Sequence, residues 1–99
     1  MADNDFLIPP FNPASARATL QRTLRDLTLT EREGVFEMKG LPVARLEAGP
    51  TTIAAGLARR LSRSPEWDAS TLKDHADVRR FIDDLKKRLT RWSDARGDD

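Results

Sequence analysis

Cysteine is absent from this 99-residue chain, which removes disulfide frameworks, thiol nucleophiles and thiolate metal sites together. Histidine occurs once, at His75, so there is no histidine pair to hold a zinc ion. Tyrosine is missing and aromatic residues make up only 6%, a poor supply of platforms for stacking single-stranded bases. The longest nearly continuous apolar run, Ile53 to Ala58, is far too short to span a bilayer. A dominant charge is lacking as well. The 17 basic side chains face 16 acidic ones, a net +1, so nothing steers the whole molecule toward nucleic acid or a membrane. Met1-Ala2-Asp3-Asn4-Asp5 is acidic where a secretory signal would be basic. The expectation is a cytoplasmic protein with no membrane, metal or cofactor.

What remains is a chain that is 38% hydrophobic and 33% charged. That is enough for one domain with a thin core, only marginally stable on its own, for which self-association is a natural remedy. Of the basic residues 13 are Arg and 4 are Lys, a bias that suits phosphate or carboxylate forks and that GC-rich coding would also produce.

Residues 1–12 read as a flexible leader, with Pro9-Pro10 favouring extended geometry and Phe6-Leu7-Ile8 and Phe11 as docking points. Asn12-Pro13 is a helix start, an N-cap followed by a residue with no donor to lose. The helix is predicted over 13–27, with Ala16, Leu20, Leu24 and Leu27 on one stripe. Thr28 to Gly34 reads as a loop. Val35 to Lys39 then alternates with the strand period, Gly40-Leu41-Pro42 supplies a reversal, and Val43 to Glu47 returns. Val43 and Leu46 cannot both face inward without a bulge.

Gly49-Pro50 is read as the start of a second helix carrying Ile53, Leu57 and Leu61, stopped before Ser64-Pro65. Ser64 to Lys73 is expected to be a connector with Trp67 tucked against the core. The last helix is capped by Asp74 or Asp77, and Val78, Ile82, Leu85, Leu89 and Trp92 follow at helical spacing with Phe81 widening the stripe. The tail from 93 to 99 is expected to fray. The predicted fold is therefore α+β in the order α-β-β-α-α, one domain over 13–92, a β-hairpin covered by helices. Its expected core is Leu20, Leu24, Phe36, Met38, Leu46, Ile53, Leu57, Val78, Phe81, Ile82, Leu85 and Leu89.

Chemistry-bearing patterns are sparse. His75 beside Asp74 and Asp77 has no serine in a nucleophile elbow to serve, and reads as an exposed helix-start residue. Gly49-Pro50-Thr51-Thr52 resembles an anion-binding helix start, but Pro50 removes a donor and no Gly-Lys pair follows. No catalytic residue is assigned and the chain is not expected to be an enzyme. Arg59, Arg60, Arg63, Lys86, Lys87 and Arg91 form the candidate nucleic-acid surface, provided that the two clusters share a face. Against that, Asp83 to Lys87 and Asp84 to Arg88 have the spacing of neutralising helix pairs. Leu89 and Trp92, near the chain end, form the candidate protein contact. The expected function is a non-enzymatic protein-interaction or accessory module. Its partner is a protein or a second copy met at an open hairpin edge, and nucleic acid is the alternative partner.

Overall fold

The computed structural model describes residues 11–97; the leader's Phe6-Leu7-Ile8 lies outside the described residues. Helix α1 spans Pro13–Asp26, with Pro13 in the first turn and the Asn12 side chain accepting from the Ser15 N–H at 3.1 Å. Its stripe of Ala16, Leu20 and Leu24 is buried. The helix ends in a left-handed residue, Thr28, at φ 66°. The Leu29 N–H donates to the Leu24 carbonyl at 3.2 Å and the Thr28 N–H to that of Arg25 at 2.9 Å. These are the paired bonds of a Schellman motif. They turn Leu29 back into the core beside Leu24.

Five strands follow: β1 Thr30–Arg32, β2 Val35–Met38, β3 Leu41–Ala48, β4 Ile53–Ala58 and β5 Trp67–Leu72. They form one antiparallel sheet in chain order. The two tightest turns, Glu33-Gly34 and Lys39-Gly40, have positive φ at both positions (52° and 83°, 53° and 84°). That is the hairpin turn whose twist matches its strands. Between β2 and β3 the register passes from Phe36↔Ala44 to Glu37↔Pro42. Val43 is left unopposed, so Val43 and Leu46 are both buried. The bulge that their spacing demands is present.

The α+β class holds, while the order is one helix, five strands and one helix. The helix expected after Pro50 is β4, the connector expected at Ser64 to Lys73 contains β5, and the loop expected at Thr28 to Gly34 contains β1. A spacing of four residues is also two strand repeats. Ile53, Ala55 and Leu57 consequently lie on one sheet face and are all buried.

Helix α2 spans His75–Gly97, running past Trp92 into the stretch expected to fray. Asp74 caps it by accepting from the Asp77 N–H at 2.8 Å. Val78, Phe81, Leu85 and Trp92 are buried; Met38, Ile82 and Leu89, expected in the core, are half-buried at its margin. No helix among the described residues is long and apolar enough to cross a membrane.

Both helices pack on the same side of the sheet. Glu31 of β1 accepts from Arg17 at 3.1 Å and from Gln21, both on α1. Asp68 of β5 meets Arg88 of α2 at 3.0 Å. By strand alternation these carboxylates share a face with Phe36, Leu46, Ile53, Leu57 and Leu72. The opposite face carries Arg32, Arg45, Glu47, Ala54, Ala69 and Thr71, all exposed, and no helix among the described residues covers it.

Candidate functional site

The sequence places six basic residues in the candidate nucleic-acid surface, and the structure divides them between two elements. Arg59, Arg60 and Arg63 lie in the exposed connection between β4 and β5, while Lys86, Lys87 and Arg91 lie on α2. Arg88 brings the two elements together. Its side chain donates to the Ala58 carbonyl at 2.9 Å and pairs with Asp68 at 3.0 Å and Asp84 at 3.6 Å. Arg59 also binds Asp68, at 2.6 Å, and pairs with Glu66 at 3.8 Å. Asp68 is thus held below the ordinary carboxylate range, first by the hydrogen bond from Arg59 and then by that from Arg88. The Arg59 guanidinium is raised in turn, chiefly by the same bond. One of the two expected helix pairs, Asp84–Arg88, is formed. Lys87 and Arg91, four residues apart, share the flank of α2 that carries Arg88. Lys86 points about 160° around the helix from Arg88, so the predicted cluster does not form one surface.

Trp92 is buried in the core and Leu89 is half-buried against it, so neither is the exposed contact that their position near the chain end suggests. At the start of α2, the Asp74 and Asp77 carboxylates bind backbone amides, Asp77 accepting from the Lys73 N–H at 3.1 Å. That bond is the main cause of the lowered Asp77 pKa. The His75 ring stands edge-on to Phe11 at 5.5 Å. Thr51 and Thr52 lie in a β3–β4 turn closed by the Gly49 N–H to the Thr52 carbonyl at 2.7 Å, so no helix start exists there to hold an anion.

The expected open hairpin edge is also relocated. β2 is flanked by β1 and β3 by β4, so the edges of that hairpin are covered within the chain. The sheet's own edges are β1, three residues long, and β5, six residues long. Which groups of β5 point outward follows from two hydrogen bonds. The Arg59 N–H donates to the Glu66 carbonyl at 3.0 Å, extending the β4–β5 ladder by one pair. Hydrogen-bonded pairs alternate along an antiparallel ladder, so Leu57↔Asp68, Ala55↔Ser70 and Ile53↔Leu72 are bonded pairs. Independently, the Leu46 N–H turns toward β2 to reach the Gly34 carbonyl at 3.0 Å. Stepping across β3 and β4 from there gives the same phase. Trp67, Ala69 and Thr71 therefore aim their N–H and C=O groups away from the sheet, with no strand beside them among the described residues.

Native edges are usually blunted by short length, proline, bulges or outward charge. β1 is short and bears Glu31 and Arg32. β5 has none of these devices. Its register with β4 is unbroken from Trp67 to Leu72, and its one charge, Asp68, lies on the helix side and is occupied by Arg59 and Arg88. Next to the edge, the open face is a groove of about 490 Å³ lined by Val35, Arg45, Ala54, Ala69 and Thr71. Beside the groove, Gly56 is buried beneath Arg45 and Trp67, whose guanidinium and indole stack at 5.0 Å. A Cβ on Gly56 would meet Arg45 Nε at 2.8 Å.

The sequence signal for this site was the alternation of Trp67, Ala69 and Thr71 against Asp68, Ser70 and Leu72. It is masked because two of the three helix-side residues are polar. Comparison with protein-family models, with curated proteins and with solved structures finds no match.

Proposed function

We propose that this chain is a non-enzymatic protein-interaction module that accepts an extended strand of a protein partner along β5. One observation carries the reading: three successive outward-facing residues, Trp67, Ala69 and Thr71, present backbone donors and acceptors on a regular edge that no strand covers among the described residues. Strand addition of this kind draws affinity from main-chain bonds and specificity from alternate side chains. Here Trp67 and the small residues of the open face lie beside the incoming strand.

Selection of random decapeptides against the immobilised chain tests the reading. Alternating β-branched and aromatic peptides should be enriched, and Ala69→Pro should weaken their binding by about ten- to a hundredfold through loss of an outward N–H and its reciprocal bond. That proline leaves the β4–β5 ladder intact, because the Ala69 amide does not belong to it. No enrichment, or peptides that bind the proline variant equally well, would sink the proposal.

A second reading, a nucleic-acid-binding accessory protein, is favoured by the Arg88 tether, which sets the Arg59–Arg63 connection against the Lys87/Arg91 flank. It expects labelled single- or double-stranded nucleic acid to bind at low salt and to dissociate steeply as salt rises. A flat anisotropy titration at low salt retires it.

A further inference from the structure

We infer that the strand taken up by β5 is the β5 of a second copy, paired antiparallel about a two-fold axis through Ala69. The inference rests on β5 being a docking edge, and it adds the identity of the partner and the register. The free part of the edge has defined limits. Pro65 has no N–H to offer on one side, and on the other the Lys73 N–H is already bound by the Asp77 carboxylate at 3.1 Å. The window between them is Trp67 to Thr71, and its middle residue is Ala69.

Two-fold antiparallel pairing must set outward residues opposite outward residues, and like faces opposite like faces. With the axis at Ala69 both conditions are met. Ala69 exchanges two bonds with itself, and Trp67 exchanges two with Thr71 of the second copy at each end. Every outward donor and acceptor of the window is then used. Moving the axis to Ser70 sets Trp67 opposite the occupied Lys73 amide and leaves only the Ala69–Thr71 pairs. Moving it to Asp68 sets that carboxylate against its own copy, and like charges directly opposite are unfavourable. Centred on Ala69, Asp68 faces Ser70 instead.

The charges above the strand agree. Helix α2 runs antiparallel to β5, its start tied to Lys73 by Asp77 and its second half tied to Asp68 by Arg88. Its flank toward the open edge carries Asp77, Arg80 and Asp84, which line the cleft between α2 and β5, and then Lys87 and Arg91, Arg88 being turned inward onto Ala58 and Asp68. The same two-fold axis lays the two α2 helices antiparallel, so the acid-rich half of one flank faces the basic half of the other. Assembly stops at two. The self-pairing consumes both copies of the long edge, and the doubled sheet ends at β1 on each side, a closed arrangement.

Because the chain has no cysteine, single substitutions report the register directly. Ala69→Cys brings the two Cα atoms to about 5.5 Å, within disulfide reach, whereas Ser70→Cys leaves them roughly 8 Å apart. The full chain should show twice its 11.1 kDa mass by light scattering from low micromolar concentration upward. Ala69→Cys should oxidise to a covalent dimer far faster than Ser70→Cys, and Ala69→Pro should weaken self-association about ten- to a hundredfold. A monomeric mass up to near-millimolar concentration with no Ala69→Cys dimer overturns the self-pairing, as does faster crosslinking of Ser70→Cys. Decapeptide binding that remains sensitive to Ala69→Pro in a monomeric protein would leave the interaction module standing and remove only the second copy. Loss of both removes both.

Discussion

At Thr28 the backbone sits at φ 66°, in the position after α1 where glycine is the usual occupant. A β-branched side chain there crowds its own carbonyl. The structure tolerates it because the Schellman bonds and the burial of Leu29 against Leu24 determine the turn from both sides. Thr28→Gly should therefore raise stability by about 1 kcal/mol, read as a higher denaturation midpoint with an unchanged slope. Asp68 makes a prediction in the acid range. Its pKa lies below the ordinary 3.8, first through the Arg59 hydrogen bond and then through that of Arg88. A depressed carboxylate stabilises the fold above its unfolded value, and that contribution disappears as pH falls through the lower folded value. Wild-type stability should thus fall as the pH drops below the ordinary carboxylate value, and Asp68→Asn should flatten that fall. An equally steep acid limb in the variant would show that the Asp68 pairs do nothing for the fold.

At the scale of elements, one side chain among the described residues attaches the second half of α2 besides its apolar stripe. Arg88 is 17% exposed, donates to the Ala58 carbonyl and pairs with Asp68. Arg88→Ala should cost about 1–3 kcal/mol, the loss of a hydrogen bond from a charged donor. Amide exchange should accelerate in the second half of α2 before the half anchored by Val78 and Phe81. Lysine should not rescue it, since a point charge cannot reach the carbonyl and the carboxylate in one fork. The helices were legible in the sequence because each has a cap and a long stripe: Asn12-Pro13 before Leu20 and Leu24, and Asp74 before Val78, Phe81 and Leu85. β4 was not. Ile53 and Leu57 fit both periods, alanine favours a helix by propensity, and the sheet overrode that preference. The signals that argue for a strand were Gly56, unfavourable inside a helix, and the buried Ala55 midway between Ile53 and Leu57. β5 was hidden for a different reason. Leu72 is its single fully buried residue, so it carries almost no hydrophobic pattern, and its role is visible only once the hydrogen-bond phase of the sheet is known.

At the scale of the whole molecule, a sheet that carries helices on one side only among the described residues leaves a small chain with little core for its surface. Among the described residues the buried apolar set is small, and six of its members are only alanine or valine: Ala16, Ala44, Ala55, Ala58, Val43 and Val78. Pairing across β5 would join two such sheets and satisfy six main-chain groups on each copy without enlarging either core. The thermodynamic consequence is specific. When folding is coupled to dimerisation, stability depends on protein concentration by mass action. A tenfold rise in concentration then adds about 1.4 kcal/mol per dimer, or half of that per chain. For a domain of this size this corresponds to an increase in Tm of about 3–5 °C per decade of concentration. Ala69→Pro keeps the β4–β5 ladder and removes the central inter-copy bonds, so its Tm should be lower and nearly independent of concentration in the same range. Calorimetry of both proteins across two decades of concentration separates the cases: a sloping wild type beside a flat variant places the coupling at β5. Two flat lines would mean that the edge contributes nothing to the stability of the fold, and two equal slopes would mean that the copies meet somewhere else.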